Sequence, residues 1–300
     1  MKNPVTESEN PKTRNIDQVS TIEALRLINS EDKKVAHAVE KTLGEIAETV
    51  DKITLRLSNG GRLFYVGTGT SGRLGVLDAS EIPPTYGVSP GVVRGIIAGG
   101  YDALHSAVEA SEDDHNAGAE DLKDAGLKEG DAVIGIAASG RTPYTIGAVE
   151  FAKNLGCFTA CISCNPDSPI AETVDIAIVA EVGAEAITGS TRMKAGTAQK
   201  MILNMISTAV MIKLGYVSGN RMTNLKPKNS KLVERSVRIL MQELELTLVE
   251  AGELFGQSGQ DLRVAVVMGK TGASRAESIS KLEKCNWVIK SAVAAIGKER

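Results

Sequence analysis

The sequence predicts an α/β fold, with a parallel sheet between two layers of helices, followed by a small all-helical domain. Three observations predict it. Five short apolar runs occur between residues 61 and 182, separated by helix-like segments. Residues 20–58 carry apolar side chains at helical spacing, and the chain after about residue 225 is helical in pattern throughout. Short strands that alternate with amphipathic helices are typical of a parallel sheet covered on both faces.

The N-terminal part is predicted to be an arm followed by helices. Residues 1 to about 20 are polar and contain two prolines, so we expect a loose arm that can contact a partner subunit. The apolar spacing from Ser20 to about Ser58 predicts two helices. In the first of them, Ile22, Leu25 and Leu27 lie near one face.

The strands of the sheet are predicted from the five apolar runs, which read GRLFYVGTG, PGVVRGIIAGG, DAVIGIAASG, CFTACISCN and DIAIVAEV. Such a sheet binds ligands beyond the carboxyl ends of its strands. The fourth run carries Cys157, Cys161 and Cys164. Alternation along a strand puts these residues on both faces and no histidine is near, so we interpret them as buried thiols rather than metal ligands.

The remaining segments set the predicted domain limits. An apolar helix over about 191–214 is long enough to be central to a core or to a dimer interface, and we expect a homodimer. The polar stretch NLKPKNS links it to the helical C-terminal part. We therefore predict an arm with helices over 1–55, the sheet domain over 56–222 and a helical domain over 223–300.

Charge and hydropathy narrow the class of ligand. The chain has 37 Asp and Glu against 34 Lys and Arg, a net charge of -3, and no basic block. This balance argues against a nucleic-acid surface and favours a small-molecule ligand. No run approaches the ~20 apolar residues that a membrane-spanning helix needs, and the first residues are polar. We expect a cytoplasmic protein that does not bind membranes.

Two strand-to-helix turns share the chemistry of a phosphate site. They are GTGTSGRLG at 67–75 and ASGRTP at 138–143. Glycines allow close backbone approach, hydroxyls form hydrogen bonds, and a helix N-terminus favours an anion. Plain turns and helix caps stay an alternative. A dinucleotide loop is disfavoured, since the second strand ends in AGG without the acidic residue that holds a ribose, and no Walker pattern follows either turn.

The pair of turns resembles the sugar isomerase (SIS) domain, which binds phosphorylated sugars. That resemblance implies that Ser71, Ser139 and Thr142 contact phosphate and sugar, with Thr70, Gly140 and Arg141 beside them. Longer segments are similar to the N-acetylmuramic acid 6-phosphate etherase family, densely from about residue 15 to 225 and more weakly in the helical tail. These segments are GTGTSGRLGVLDASEIPPTYG, GIAASGRTPY, ISCNP and GSTRMKAGTAQK.

The resemblance implies a lyase that removes the C3 D-lactyl ether of N-acetylmuramic acid 6-phosphate in recycling of cell-wall amino sugars. Elimination followed by water addition needs two proton-transfer groups and neither a metal nor a redox cofactor. By the resemblance, Glu81 is the acid that assists lactate departure and Glu112 the base at C2. We expect Pro83 and Pro84 to stop the helix after Glu81.

Residues near Glu112 offer alternatives for the base. Glu109 lies one turn before Glu112 on what we expect to be the same helix, and only the motif selects Glu112. His105 and His115 flank it as rival bases. An acidic run such as EASEDD also occurs on ordinary solvated helix faces.

A third segment, GSTRMKAGTAQK at 189–200, suggests a further anion site at a helix start. It offers Ser190, Thr191, Arg192 and Lys194, of which we assign Ser190 and Lys194 to substrate binding. Phosphate and the lactyl carboxylate are both open as the group bound, and ordinary helix capping is the alternative.

Two other functions fit parts of the pattern. An aldose–ketose isomerase of sugar phosphates also uses a carboxylate at C2 and could share both loops. A non-catalytic sugar-phosphate sensor is the second, since the vertebrate glucokinase regulatory protein is built from related domains. The presence of both glutamates and the 300-residue length favour the enzyme.

Overall fold

Five parallel strands form the central sheet of the computed structural model, which describes residues 4–106, 112–224, 230–285 and 287–299. The strands are β1 (Leu63–Gly67), β2 (Val93–Ile97), β3 (Ala132–Ile136), β4 (Phe158–Ser163) and β5 (Ile176–Val179). Their spatial order is β2-β1-β3-β4-β5, and every neighbouring pair is parallel. All five predicted strands are confirmed.

Helices cover both faces of this sheet, as predicted. On one face, α5 and α6 contribute to an apolar cluster with Phe64, Val66 and Val133. On the other, Gly75 of α4 lies against Tyr65, which points opposite to Phe64. The helices of this part are α1 (Thr21–Asp32), α2 (Lys34–Glu40), α3 (Leu43–Ser58), α4 (Gly69–Tyr86), α5 (Ala117–Asp124), α6 (Pro143–Asn154), α7 (Pro169–Thr173) and α8 (Lys194–Lys213).

Helices α4 and α8 are tied together by a buried carboxylate. Asp78 of α4 is 5% exposed and accepts hydrogen bonds from Asn204 Nδ2 at 2.6 Å and Ser207 Oγ at 3.1 Å. Burial raises the pKa of Asp78, although these two donors act against the shift. The two helices are therefore held side by side.

The helical segment before β1 differs from its prediction. It contains three helices where two were predicted, since the chain turns at Lys33 and again at Lys41–Thr42. Ile22 and Leu25 do share a face of α1, but their side chains are 55% and 56% exposed. Helical spacing gives the face on which apolar residues lie, and it does not say what covers that face.

Pro83 and Pro84 do not stop α4, so that expectation is wrong. The helix continues through both prolines to Tyr86, and the Gly87 amide still donates to the Pro83 carbonyl at 2.9 Å. A proline inside a helix removes one backbone hydrogen bond and costs about 3 kcal/mol, which tertiary packing can offset. Buried Ile82 and Tyr86 flank the prolines and provide such packing.

The N-terminal arm is docked on its own chain, contrary to the expectation of a loose arm. Thr6, Asn10 and Thr13 are buried. The Asn10 amide donates to the Ala184 carbonyl at 3.2 Å, and the Thr13 hydroxyl donates to the Ala186 carbonyl at 2.8 Å. Each of these hydrogen bonds joins residues that are more than 170 positions apart in the chain. A local sequence pattern cannot indicate such contacts.

Cys161 of β4 and the flanking Cys157 and Cys164 are buried free thiols, as interpreted from their spacing. Burial raises the pKa of Cys157 to about 11 and those of Cys161 and Cys164 to about 12. They are thiols at neutral pH. Across the described residues, no group of three His, Cys, Asp or Glu side chains is arranged to hold a metal ion.

By internal contacts the chain divides into two units, residues 1–81 with 90–210 and residues 82–89 with 211–300. The second unit contains a short hairpin, β6 (Val217–Ser218) and β7 (Arg221–Met222), before its helices. The predicted limits at 55 and 222 stay a prediction, and most of the NLKPKNS link lies outside the described residues. The helices are α9 (Ser230–Leu244), α10 (Leu248–Gln257), α11 (Leu262–Thr271), α12 (Arg275–Lys284) and α13 (Ile289–Glu299).

The helical region after residue 230 has its own core and its own start signals. Leu240, Leu262 and Leu282 are fully buried in one apolar cluster. The side chain of Thr247 caps α10 and that of Asp261 caps α11 by accepting backbone N–H bonds. In the parts of the chain that the structure describes, no helix has the length and hydrophobicity to span a bilayer.

Candidate functional site

The first polar turn joins β1 directly to α4. Thr68 alone separates Gly67, the last residue of β1, from Gly69, the first of α4. A Cβ on Gly72 would lie 2.5 Å from the Gly67 carbonyl oxygen, so only glycine allows this close approach. Thr70 and Ser71 follow in the first helical turn, where backbone N–H groups lack intrahelical partners.

The second polar turn joins β3 to α6. Gly140 has φ +66°, a left-handed conformation that favours glycine. The Arg141 amide donates to Ser139 Oγ at 3.3 Å, and Thr142 is the N-cap before Pro143. Ser139 and Thr142 are half-buried, whereas Arg141 is exposed.

The sheet topology brings these two turns together. β1 and β3 are adjacent strands, and the chain leaves β1 toward β2 on one side and β3 toward β4 on the other. This order has its switch point between β1 and β3, where doubly wound sheets bind ligands at the carboxyl ends of the strands. The N-termini of α4 and α6 both lie at this edge of the sheet, and helix N-termini favour a bound anion.

Glu112 lies at the first turn. Its carboxylate oxygen Oε1 is 3.3 Å from the position that a Cβ on Gly69 would occupy, and its carbonyl accepts the Tyr144 amide of α6 at 3.2 Å. The residue is half-buried. A carboxylate is thus held between the starts of α4 and α6, where it can take a proton from a ligand bound by the two turns.

The surroundings of Glu112 differ from the expected helix. Residues 112–116 form a bend and turn before α5, and Glu109 lies outside the described residues. His115 pairs with Glu150 at 3.1 Å and His105 lies 3.7 Å from Asp102, each with at least half of its imidazole exposed.

Within one chain, Glu81 lies on α4 far from the first turn. It follows Gly69 by twelve residues on α4, and a rise of 1.5 Å per residue puts about 18 Å between them along the axis. Its side chain is exposed. A proton donor must come within about 3 Å of its acceptor, so this separation argues against an action of Glu81 and Glu112 of one chain on neighbouring atoms of one bound ligand.

The third segment is not an open anion site at its helix start. The carboxylate of Glu185, which is fully buried, accepts the backbone amides of Lys194 and Ala195 at 3.0 and 2.9 Å. The N-terminus of α8 is therefore already neutralised by the chain's own carboxylate. Ser190 lies just before this helix and is half-buried.

Lys194 is taken up by a buried ion pair. Its side chain is 1% exposed, and Nζ donates to Glu31 Oε2 at 2.8 Å and to the Ala184 carbonyl at 2.6 Å. Lys34 donates to the other Glu31 oxygen. The assignment of Lys194 to substrate binding is therefore not carried further, because its ammonium group has its partners inside the protein.

Glu31 is ionised by these partners despite its burial. Burial by itself would raise the pKa of Glu31, but hydrogen bonds from Lys194 and Lys34 outweigh it and lower the pKa to about 2. The pair joins α1 to the start of α8. It is a structural feature that holds the third segment in place.

Sequence reasoning missed two residues that support the turns. Gln199 is 1% exposed and its Oε1 accepts the Ser71 hydroxyl at 3.0 Å. Asn165 is 5% exposed and its Nδ2 donates to the carbonyls of Ala138 and Ser139, both at 3.2 Å. Both residues stand in segments that carry the family resemblance, but their type alone gave no indication of these contacts.

Comparison with known families gives the class of protein. The family model of the SIS domain matches residues 114–209 of the sequence. The family model of the glucokinase regulatory protein N-terminal SIS domain matches residues 45–153. The two matches together span residues 45–209, which contain all five strands and both turns, so the chain is an SIS-domain protein. A phosphoheptose isomerase from Francisella tularensis aligns with a TM-score of 0.48 at 16% identity, over 65% of this chain and 100% of that chain.

The sequence relatives narrow the class to one family. The chain is 50% identical over 296 residues to the N-acetylmuramic acid 6-phosphate etherase of Photorhabdus laumondii, covering 99% of this chain and 98% of that protein. It is 49% identical to the etherase of Clostridium beijerinckii, over 99% and 97% of the two chains. The chain belongs to the N-acetylmuramic acid 6-phosphate etherase family. The similarity spans nearly the whole chain and includes the helical tail, where the motifs predicted weaker agreement than over 15–225.

Proposed function

We propose that this protein is a carbon–oxygen lyase that converts N-acetylmuramic acid 6-phosphate into N-acetylglucosamine 6-phosphate and D-lactate in the recycling of cell-wall amino sugars. Membership of the etherase family, at about 50% sequence identity over nearly the whole chain, supports this lyase activity. The observation that carries the mechanism is the Glu112 carboxylate beside Gly69, between the two turns.

The chemistry follows from the ring-opened sugar. C1 is then an aldehyde, which acidifies the hydrogen on C2 and makes the C3 oxygen a β leaving group. A base takes the C2 proton, the C2–C3 double bond forms, and the C3–oxygen bond breaks as an acid protonates departing lactate. Water then adds at C3, and a proton returns to C2. Each step transfers a proton or adds water, so positioned carboxyl groups supply the catalysis.

The two turns hold the phosphate in this proposal. Thr70 and Ser71 act from the start of α4, and Ser139, Gly140, Arg141 and Thr142 act from the start of α6. Hydroxyls, backbone N–H groups and two helix N-termini converge at one edge of the sheet, a suitable arrangement for a dianion. Ser190 supplies a further polar contact, and Lys194 takes no part because it pairs with Glu31.

Glu112 is proposed as the general base at C2. Its carboxylate lies at the turn that holds the phosphate, and its backbone is fixed to α6 through the Tyr144 amide. A base must be held within hydrogen-bond reach of the carbon acid. The position of Glu112 beside the turn meets that need without a large rearrangement.

Glu81 is proposed as the acid that protonates lactate, supplied by a second copy of the chain in a homodimer. The distance of about 18 Å along α4 argues against an action within one chain. Leu77, one turn before Glu81 on the same face, is 51% exposed, and Met205 of the neighbouring α8 is 36% exposed. These exposed apolar side chains on α4 and α8 support an interface at that surface.

The function is tested by product analysis in labelled solvent. Purified protein given N-acetylmuramic acid 6-phosphate, without added metal or nucleotide, is expected to release D-lactate. In solvent containing deuterium and oxygen-18, the sugar product is expected to carry deuterium at C2 and heavy oxygen at C3. Release of no lactate would contradict the etherase, a ketose product would indicate an isomerase, and binding without turnover would indicate a sensor.

A further inference from the structure

The N-terminal arm is anchored on the second polar turn. Thr6 is 1% exposed, and its amide donates to Asn165 Oδ1 at 3.4 Å. In return, Asn165 Nδ2 donates to the Thr6 hydroxyl at 3.2 Å. The same Nδ2 donates to the Ala138 and Ser139 carbonyls at 3.2 Å each. One buried amide thus joins the arm to the backbone of the turn that carries Ser139.

A second anchor fixes the arm farther along. Asn10 and Thr13 donate to the carbonyls of Ala184 and Ala186, in the segment that leads to Ser190. The arm therefore runs from the turn after β3 to the segment before α8. Both ends are held by buried side chains, so the residues between them have a defined position.

Glu7 lies between the two anchors and is exposed. Its carboxylate Oε2 is 3.1 Å from the position that a Cβ on Gly189 would occupy, next to Ser190. Gly189 has φ +74° and no side chain, which leaves room for the carboxylate. An acidic group is thus presented beside residues that the sequence assigns to substrate binding.

We propose that the N-terminal arm contributes Glu7 to the phosphosugar site as a substrate-binding residue, and that Asn165, which holds Thr6 of the arm, is a positioning residue for the Ser139 turn. This proposal rests on the proposed function. A carboxylate accepts hydrogen bonds from hydroxyl and amide N–H groups and repels other anions. Glu7 therefore faces the neutral part of the sugar, and it disfavours a reversed orientation that would bring the phosphate or the lactyl carboxylate to it.

Glu7 is tested against Glu9, which lies on the same arm and pairs with Arg14 at an exposed surface. Glu7→Ala is expected to lower kcat/KM for lactate release about tenfold, mainly through KM, because a charge-assisted hydrogen bond is lost. Binding of inorganic phosphate, measured by calorimetry, is expected to be unchanged. Glu9→Ala is expected to match the wild type. Equal kcat/KM for the two variants would overturn the role of Glu7.

The positioning role is tested by phosphate binding, which needs no turnover. Asn165→Asp replaces the donor with an acceptor that faces two carbonyls, and we expect inorganic phosphate to bind about tenfold more weakly. Asn154→Asp, on the exposed end of α6, is the control. Since Asn165→Asp can also impair folding, Thr6→Val tests the same link while keeping the side-chain shape, and Thr6→Ser is expected to retain wild-type binding.

The outcomes separate this inference from the proposed function. Folded Thr6→Val and Asn165→Asp proteins that bind phosphate as tightly as the wild type would overturn the positioning role, whatever their melting temperatures. A wild-type protein that binds phosphate but releases no lactate contradicts the etherase activity alone. In that case weakened phosphate binding in the two variants would still support the link between the arm and the Ser139 turn.

Discussion

Mixing two inactive variants, Glu81→Gln and Glu112→Gln, is expected to restore about a quarter of wild-type lactate release, because a two-fold symmetric dimer pairs each site with a residue of the other chain. In a mixed dimer, one site combines the intact Glu112 of one chain with the intact Glu81 of its partner. The other site lacks both. Random pairing makes half of the dimers mixed, each with one of two sites active.

Each variant alone is expected to lose lactate release by about 10²- to 10⁴-fold, the usual contribution of a positioned acid or base. The two variants are refolded or exchanged together, and lactate release is assayed in the mixture and in isolated doubly tagged dimers, which are expected to have about half of the wild-type activity because one of their two sites is intact. Each variant mixed with itself is the control. Doubly tagged dimers without activity would contradict a site shared between chains, and a monomer at all concentrations would contradict the homodimer.

Glu31→Gln is expected to lower the free energy of unfolding by about 3–5 kcal/mol, the usual cost of breaking a buried ion pair by removing one partner. Glu31 and Lys194 are 2% and 1% exposed, so the remaining ammonium group would lose its ion-pair partner in the interior. Denaturant unfolding of the wild type and the variant measures the difference. Glu9→Gln, at an exposed pair, is expected to leave stability unchanged.

A double-mutant cycle and a pH series test the cause. In the Lys194→Met background, Glu31→Gln is expected to cost much less, since no buried ammonium group is left unpaired. The folded pKa of Glu31 is about 2, below its ordinary 4.5, so its stabilisation is present above pH 4.5 and is lost as the pH falls toward 2. The difference between wild type and Glu31→Gln should shrink over that range. A pH-independent difference would contradict an ionic origin.

The sheet and the turns could be predicted because their signals are local. An apolar run of about five residues that ends in glycines and hydroxyls predicts a strand followed by an anion-binding helix start. The five strands were found at the predicted runs, and both polar turns lie at carboxyl ends of strands. The family followed from the same segments.

Residue roles were harder to predict because they depend on partners far away in sequence. Lys194 stands at a helix start and has the chemistry of an anion ligand, but Glu31 neutralises it across 163 residues. The arm has the composition of a loose segment, and three buried polar side chains fix it. The sequence around Asn165 did not indicate its role, because an amide side chain supports a turn only where backbone carbonyls accept its hydrogen bonds.

The sequence by itself determined the strands, the two polar turns and the family, because strand pattern, glycine placement and turn chemistry are properties of short stretches of chain. The tertiary structure decided which of the candidate residues share a site. It brought Glu112 to Gly69 and the arm to Ser139, buried Lys194 against Glu31, and left Glu81 exposed on α4, about 18 Å from Gly69 along the helix. Distances between residues far apart in sequence are set by packing, and packing is a property of the whole fold.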